Sequence, residues 1–156
     1  KVYHPLAFYA SFFSTRAEDF DPEIILSGYE QVRNRIQEIN QMGYAASQKD
    51  KKMITVLELA LEMYARGFRF YPVDIYQSDA SKFKVKAGGL LLPFSALPNV
   101  GGAAAHAIVD SRSDTEFLSV EDFQVRSKLN KTAMDVLRKE GCFSNLPETT
   151  QINLFL

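Results

Sequence analysis

Apolar side chains recur at steps of three and four through the first part of the chain, then give way to shorter, extended groupings beyond residue 67. After a short apolar stretch from Pro5 to Phe13, Asp21-Pro22-Glu23 supplies an N-cap, a proline at the first helical position and an acid in the first turn. Ile25, Tyr29, Val32, Ile36 and Ile39 then form one apolar stripe, which predicts a helix of about five turns closed by Gly43. A second helix is predicted from near Asp50. It carries Met53, Val56, Leu57, Ala60, Met63 and Tyr64 on one face, and Gly67 stops it. Two such helices in succession predict a packed helical platform over residues 1–67.

From Phe68 to Phe94 the period changes. Pro72, with Val73 and Ile75 beyond it, has the character of an extended edge segment. Phe83 and Val85 on one side and Leu90, Leu91 and Leu92 on the other flank Ala87-Gly88-Gly89, which predicts a short β-hairpin within an extended connector, residues 68–94. Residues 95–146 alternate tight turns with short helices. Leu97-Pro98-Asn99-Val100-Gly101 is a turn leading into an alanine-rich helix from Gly102 to Ser111. Ser119 caps the next helix with Asp122 three residues on, a variant of the capping box. Ser127-Lys128-Leu129-Asn130 makes a second turn, Asn130 caps the helix Lys131 to Glu140, and Gly141 closes it. A turn thus precedes a helix twice. Residues 147–156 are expected to be a flexible tail, polar until it ends in Ile152-Asn153-Leu154-Phe155-Leu156.

The length, 156 residues, is enough for one domain or two small ones around a sizeable core. No apolar run approaches the roughly 20 residues of a membrane span, so no membrane partner is expected. No secretory leader is visible, and the single cysteine, Cys142, excludes an internal disulfide, so the cytoplasm is the expected compartment. The chain opens on Lys1-Val2-Tyr3, inside sequence of helical character, which suggests a fragment of a larger protein. A formal net charge of −1 argues against indiscriminate binding to nucleic acid. Basic residues nevertheless gather between Arg66 and Lys139, with Arg69, Lys82, Lys84, Lys86, Arg112, Arg126, Lys128, Lys131 and Arg138 among them. Any contact with DNA must therefore come from placement.

The turn at Leu97–Gly101 and its alanine-rich successor resemble a helix-hairpin-helix. In that device a tight turn exposes consecutive backbone N–H groups at a helix start, where they and the helix dipole bind a phosphate oxygen without reading a base. Here the first hairpin would present the amides of Val100, Gly101, Gly102 and Ala103. Asn99 stands where the usual pattern has its first glycine, and asparagine tolerates positive φ better than other non-glycine residues. The second hairpin, Leu129 and Asn130 with Lys128 and Lys131 around them, lacks both glycines and offers charge instead. Arg112 and Arg126 lie close by in sequence. The plainer reading of each turn is a connection between helices, and two copies together with nearby cations favour DNA.

Catalysis finds little support. Asp19-Phe20-Asp21 has the D-x-D spacing that polymerases use for two metal ions, but Asp21 is more simply an N-cap. His4, His106 and Cys142 build neither a zinc site nor a Cys-His pair. No catalytic residue and no metal ligand is assigned, and no cofactor is expected in this segment.

The tail spacing Gln151-x-x-Leu154-Phe155 resembles the pentapeptide with which bacterial replication proteins dock into the groove of the sliding clamp. Burying Leu154 and Phe155 would contribute roughly 1.5–3 kcal/mol each, and the Gln151 amide would fix the register. The alternative is that the tail folds back onto its own domain.

Several segments taken together resemble the carboxyl end of PolC-type DNA polymerase III alpha subunits. They are His4-Pro5-Leu6-Ala7-Phe8-Tyr9, Leu61-Glu62-Met63-Tyr64-Ala65-Arg66-Gly67-Phe68, Pro72-Val73-Asp74-Ile75-Tyr76-Gln77-Ser78-Asp79, the first hairpin, and Gln151 to Phe155. The resemblance implies a mainly α-helical chain. Residues 1–67 would end the fingers, 95–146 would form a tandem helix-hairpin-helix domain on duplex DNA, and 147–156 would bind the sliding clamp. It also implies a nucleotidyltransferase whose Mg2+-binding carboxylates lie elsewhere in the polypeptide, so that the segment is inactive alone and has the rest of the polymerase as a partner. The alternative is a free-standing helix-hairpin-helix accessory or repair module.

Overall fold

The computed structural model describes residues 3–112 and 115–150. Helix α1, Pro5–Thr15, is apolar on nearly every side and buries Tyr9 and Phe13. Helix α2 spans Pro22–Leu26, α3 Tyr29–Met42 and α4 Gln48–Ala65. As the sequence predicts, the Asp21 side chain accepts from the Ile24 N–H at 3.2 Å; Ser47, ahead of the predicted start near Asp50, caps α4 through the Asp50 N–H at 3.0 Å. The predicted five-turn helix is instead two helices. Gly28, at φ 108° and ψ −178°, breaks it after Ser27. The stripe survives the break, because Ile25, Val32 and Ile39 are all buried. Gly43 and Gly67 end α3 and α4 at φ 54° and 83°, values that suit glycine.

α3 packs along α4, and α1 is tied to α4 by the Tyr9 hydroxyl, which donates to Glu62 at 2.5 Å and accepts from Arg66 at 3.0 Å. Phe70, Phe83, Leu90 and Leu92 of the connector join the core. Strand β1, Arg69–Tyr71, lies parallel to β3, Gly89–Leu91, and β3 pairs antiparallel with β2, Lys84–Lys86, giving the order β1-β3-β2. The β2–β3 hairpin is the predicted one. The extended segment expected at Pro72–Ile75 is displaced, because the strand is Arg69–Tyr71 and the chain turns after it. There the Asp74 carboxylate accepts from the N–H groups of Tyr76 and Gln77. Phe13 sits edge-on to Phe20 and Phe70 at 5.7 and 5.5 Å and lies 5.6 Å from Phe83, joining α1 to the sheet through aromatic contact.

Beyond the sheet a 3-10 turn, Phe94–Ala96, leads into helices α5, Gly102–Asp110, α6, Val120–Ser127, and α7, Lys131–Lys139. Ser119 caps α6 through the Asp122 N–H at 3.0 Å, and Asn130 caps α7 through the Ala133 N–H at 2.8 Å. In place of the reciprocal bond of a true capping box, Asp122 accepts from the Leu118 N–H. One apolar cluster runs from Tyr9 to Phe143 and draws residues from every helix and from β1 and β3. Pro147 and Glu148, expected to open the tail, are docked. Their carbonyls accept from Val120 and Glu121 N–H at 2.9 and 3.1 Å, satisfying first-turn donors of α6, and Glu148 pairs with Arg138. The architecture is thus mainly α-helical with a small three-stranded sheet.

Candidate nucleic-acid interface

The two predicted hairpins share one backbone design. Asn99 and Lys128 have φ 62° and 57°, and no other non-glycine residue among those described is positive. Each is followed by a buried apolar residue, Val100 or Leu129, and then by an N-cap, Gly101 or Asn130. The buried side chain anchors the turn, and the left-handed residue before it reverses the chain so that the next helix starts outward. Both turns border a single surface depression, lined by Asn99, Gly101, Ala103, Ala104 and Ala107 on one side and by Ser127, Lys128, Asn130 and Ala133 on the other.

The first helical hydrogen bond of α5 runs from Ala105 N–H to Gly101 at 2.9 Å, and no side chain caps the helix. Among the described residues the amides of Gly101, Gly102 and Ala103 therefore have no protein acceptor, as expected of an uncapped helix start. Val100 departs from expectation. Its N–H donates to Leu97 at 3.4 Å and its side chain is buried, so it anchors the turn and presents no free donor. Gly101 and Gly102 are exposed, and a Cβ at either would meet nothing within 4 Å. With Gly101 at φ −72°, neither packing nor its backbone demands glycine there.

Lys128 and Lys131 are exposed at the second hairpin, while Leu129 is 7% exposed and packs inward. Arg112 and Arg126, expected beside DNA, are turned into the fold instead. The Arg112 Nε donates to Ile75 O at 2.8 Å, a second nitrogen donates to Ser78 O, and the guanidinium lies over the Phe94 ring. Arg126 donates to Asp122 at 3.3 Å and to Ser111 O at 3.0 Å, with its guanidinium carbon 4.3 Å from the Phe117 ring centroid. Both hold loops in place. Ser127 was not foreseen: it is 2% exposed, lines the depression, and its Oγ has no hydrogen-bond partner. Only its position at the end of α6 marks it, and nothing in the sequence signals that.

Among the described residues no group of three or more His, Cys, Asp and Glu side chains could hold a metal. Asp19 pairs with Arg16 at 2.9 Å and Asp21 caps α2, which accounts for both carboxylates of the D-x-D spacing. Burial pushes the Cys142 thiol up to about 12, with Glu140 and Asp74 adding to the effect, so it is inert as a nucleophile near neutrality. No helix among the described residues is long and apolar enough to cross a membrane. Gln151, Leu154 and Phe155, read as a clamp ligand, lie outside the described residues.

The family model of the helix-hairpin-helix motif matches residues 67–151. Over 155 residues the chain is 47% identical to the DNA polymerase III PolC-type of Caldanaerobacter subterraneus subsp. tengcongensis, 49% to that of Halalkalibacterium halodurans and 43% to that of Clostridium perfringens. Each match covers 99% of this chain and 11% of the relative, so the chain spans about a ninth of the length of these proteins. It is homologous to a segment of PolC-type polymerases, and by its two hairpins and the matched residues the chain belongs to the helix-hairpin-helix motif family.

Proposed function

We propose that the chain is the C-terminal, duplex-holding and clamp-docking part of a PolC-type replicative polymerase. The observation that carries this reading is the repeated hairpin geometry at Asn99–Gly101 and Lys128–Asn130 around one depression. The uncapped amides of Gly101, Gly102 and Ala103 bind a phosphate oxygen at the positive end of α5, and Lys128 and Lys131 bring charge to a second. Glycine at 101 and 102 lets the sugar-phosphate backbone approach closely. Such contacts carry no base information, which suits a protein that must move along a duplex. Asn130 keeps the second hairpin in shape by capping α7, and Arg112 and Arg126 brace the loops behind it.

Nucleotidyl transfer belongs to carboxylates and Mg2+ outside this segment. Gln151, Leu154 and Phe155 bind the sliding clamp, a few residues along the chain from the docked Pro147 and Glu148. The polymerase setting is supported over a free-standing accessory or repair module by likeness that runs through 155 residues, the helical platform included.

Fluorescence anisotropy with a labelled duplex of arbitrary sequence tests the hairpins. Lys128→Glu/Lys131→Glu weakens binding for all sequences alike, and unchanged affinity removes the assignment. Titration against a bacterial sliding clamp tests the tail. Saturable binding lost in Leu154→Ala/Phe155→Ala supports it, and no binding by the unmodified chain refutes it.

A further inference from the structure

On one face of the small sheet Phe70 and Leu90 are buried while Val85, at the β2 edge, is exposed. The register sets Arg69, Gly89 and Lys86 in one row and Tyr71, Leu91 and Lys84 in the next. Residues paired in this way share a face, so Arg69, Tyr71, Lys84 and Lys86 lie on one side of the sheet with the buried Leu91 among them, while Phe70 and Leu90 are buried on the other.

The cations on this face are held in place. The Tyr71 hydroxyl donates to Ala87 O at 2.6 Å, fixing a ring whose centroid lies 5.5 Å from the Arg69 guanidinium carbon and 4.8 Å from Lys86 Nζ. Gly89 makes the arrangement possible, since a Cβ there would sit 2.0 Å from the Arg69 carbonyl oxygen and 2.8 Å from its Cγ. Lys84 Nζ donates to Gln77 O at 2.9 Å. Among the described residues none of the three cations forms an ion pair. Asp74, Glu116 and Glu140 line the same depression as Tyr71 and Lys86, and among the described residues none of them pairs with Lys86. In a chain of net charge −1, three unpaired cations gathered on one face are not the by-product of a basic composition.

We propose that this face of the sheet is a second phosphate-binding surface for the nucleic-acid backbone, separate from the hairpins. It rests on the reading of the hairpins as duplex-binding and extends their footprint. The depression that both hairpins border reaches Asn130 at the start of α7, whereas the depression bordering the sheet includes Gly141 and Cys142, just past its end. Nine helical residues span about 13 Å, so the two surfaces engage different phosphates. Cations already positioned on an aromatic ring lose little freedom when they meet a phosphate, and each releases counterions from the DNA.

The test is duplex binding by the chain across a salt series, read by anisotropy. Arg69→Ser/Lys84→Ser/Lys86→Ser is compared with Lys49→Ser/Lys51→Ser/Lys52→Ser, which removes as many cations from the start of α4. The sheet variant is expected to lower the slope of log K against log salt by up to about 2.7 and to weaken binding on the order of tenfold at low salt. The α4 variant should track the unmodified chain, and Lys84→Arg/Lys86→Arg should keep its affinity, tying the loss to charge and not to misfolding. Equal losses in the sheet and α4 variants would overturn the proposal by reducing it to net charge. A sheet variant that binds normally while Lys128→Ser/Lys131→Ser binds poorly would overturn it and leave the hairpins standing. If the unmodified chain fails to bind duplex at low salt, both readings fall.

Discussion

Asn99 and Lys128 occupy equivalent places in two turns that differ in sequence, each in a left-handed conformation one residue before a buried apolar anchor. Lysine pays a steric cost there that asparagine partly avoids by local hydrogen bonding. Lys128→Gly is therefore expected to stabilise the fold by about 0.5–1 kcal/mol, read as a higher urea midpoint, while weakening duplex binding by removing a cation. A fall in stability would mean that the lysine side chain contributes packing that its exposure does not suggest.

Gly102 opens α5 with space around its Cα. Alanine favours helix over glycine by roughly 0.5–1 kcal/mol, so Gly102→Ala should leave stability equal or higher. If a phosphate sits against this turn, the added methyl weakens duplex binding several-fold. Calorimetry and anisotropy on the same variant separate the two effects, and unaltered affinity would remove the close approach at α5.

Phe13 is fully buried and touches Phe20, Phe70 and Phe83, which belong to three separate parts of the chain. Phe13→Ala removes the ring that joins α1 to the sheet, and about 3–5 kcal/mol of stability is expected to go with it. Chemical denaturation measures the loss. A cost under about 1 kcal/mol would show that α1 docks weakly and that the sheet is held by other contacts.

Glu140 ends α7, and burial raises its carboxyl pKa, with Glu23 and Asp21 adding to the shift and Lys139 opposing it. The folded pKa lies above the unfolded one, so the ionised group costs stability. That cost is absent below the ordinary carboxylate range and complete once pH passes the raised value. Glu140→Gln should therefore be more stable than the unmodified chain at neutral pH, with the advantage shrinking as pH falls and gone below about pH 4. Urea melts across that range decide it, and an advantage that persists in acid would assign the effect to something other than charge.

Much of the local structure was written in the sequence. Asp21, Ser119 and Asn130 cap the helices that their side-chain chemistry foretold, and Gly43, Gly67 and Gly141 end helices at positive φ. These signals are legible because cap, turn and stripe are decided among residues a few positions apart. The same locality hid the break at Gly28, since Ile25 and Val32 keep to one stripe whether or not the helix between them is continuous. It also hid β1, whose three residues pair with a strand 20 positions on.

What the tertiary structure alone decided is where the charges go. Arg112 and Arg126 read as candidates for DNA because sequence shows a cation and not its partner, and the Arg112 acceptors lie 37 and 34 residues away. The sequence determined two hairpins of one design and the helices that follow them, through capping and turn chemistry. Their meeting around one depression, and the gathering of Arg69, Lys84 and Lys86 on one sheet face, follow from strand register and core packing, which depend on residues far apart along the chain.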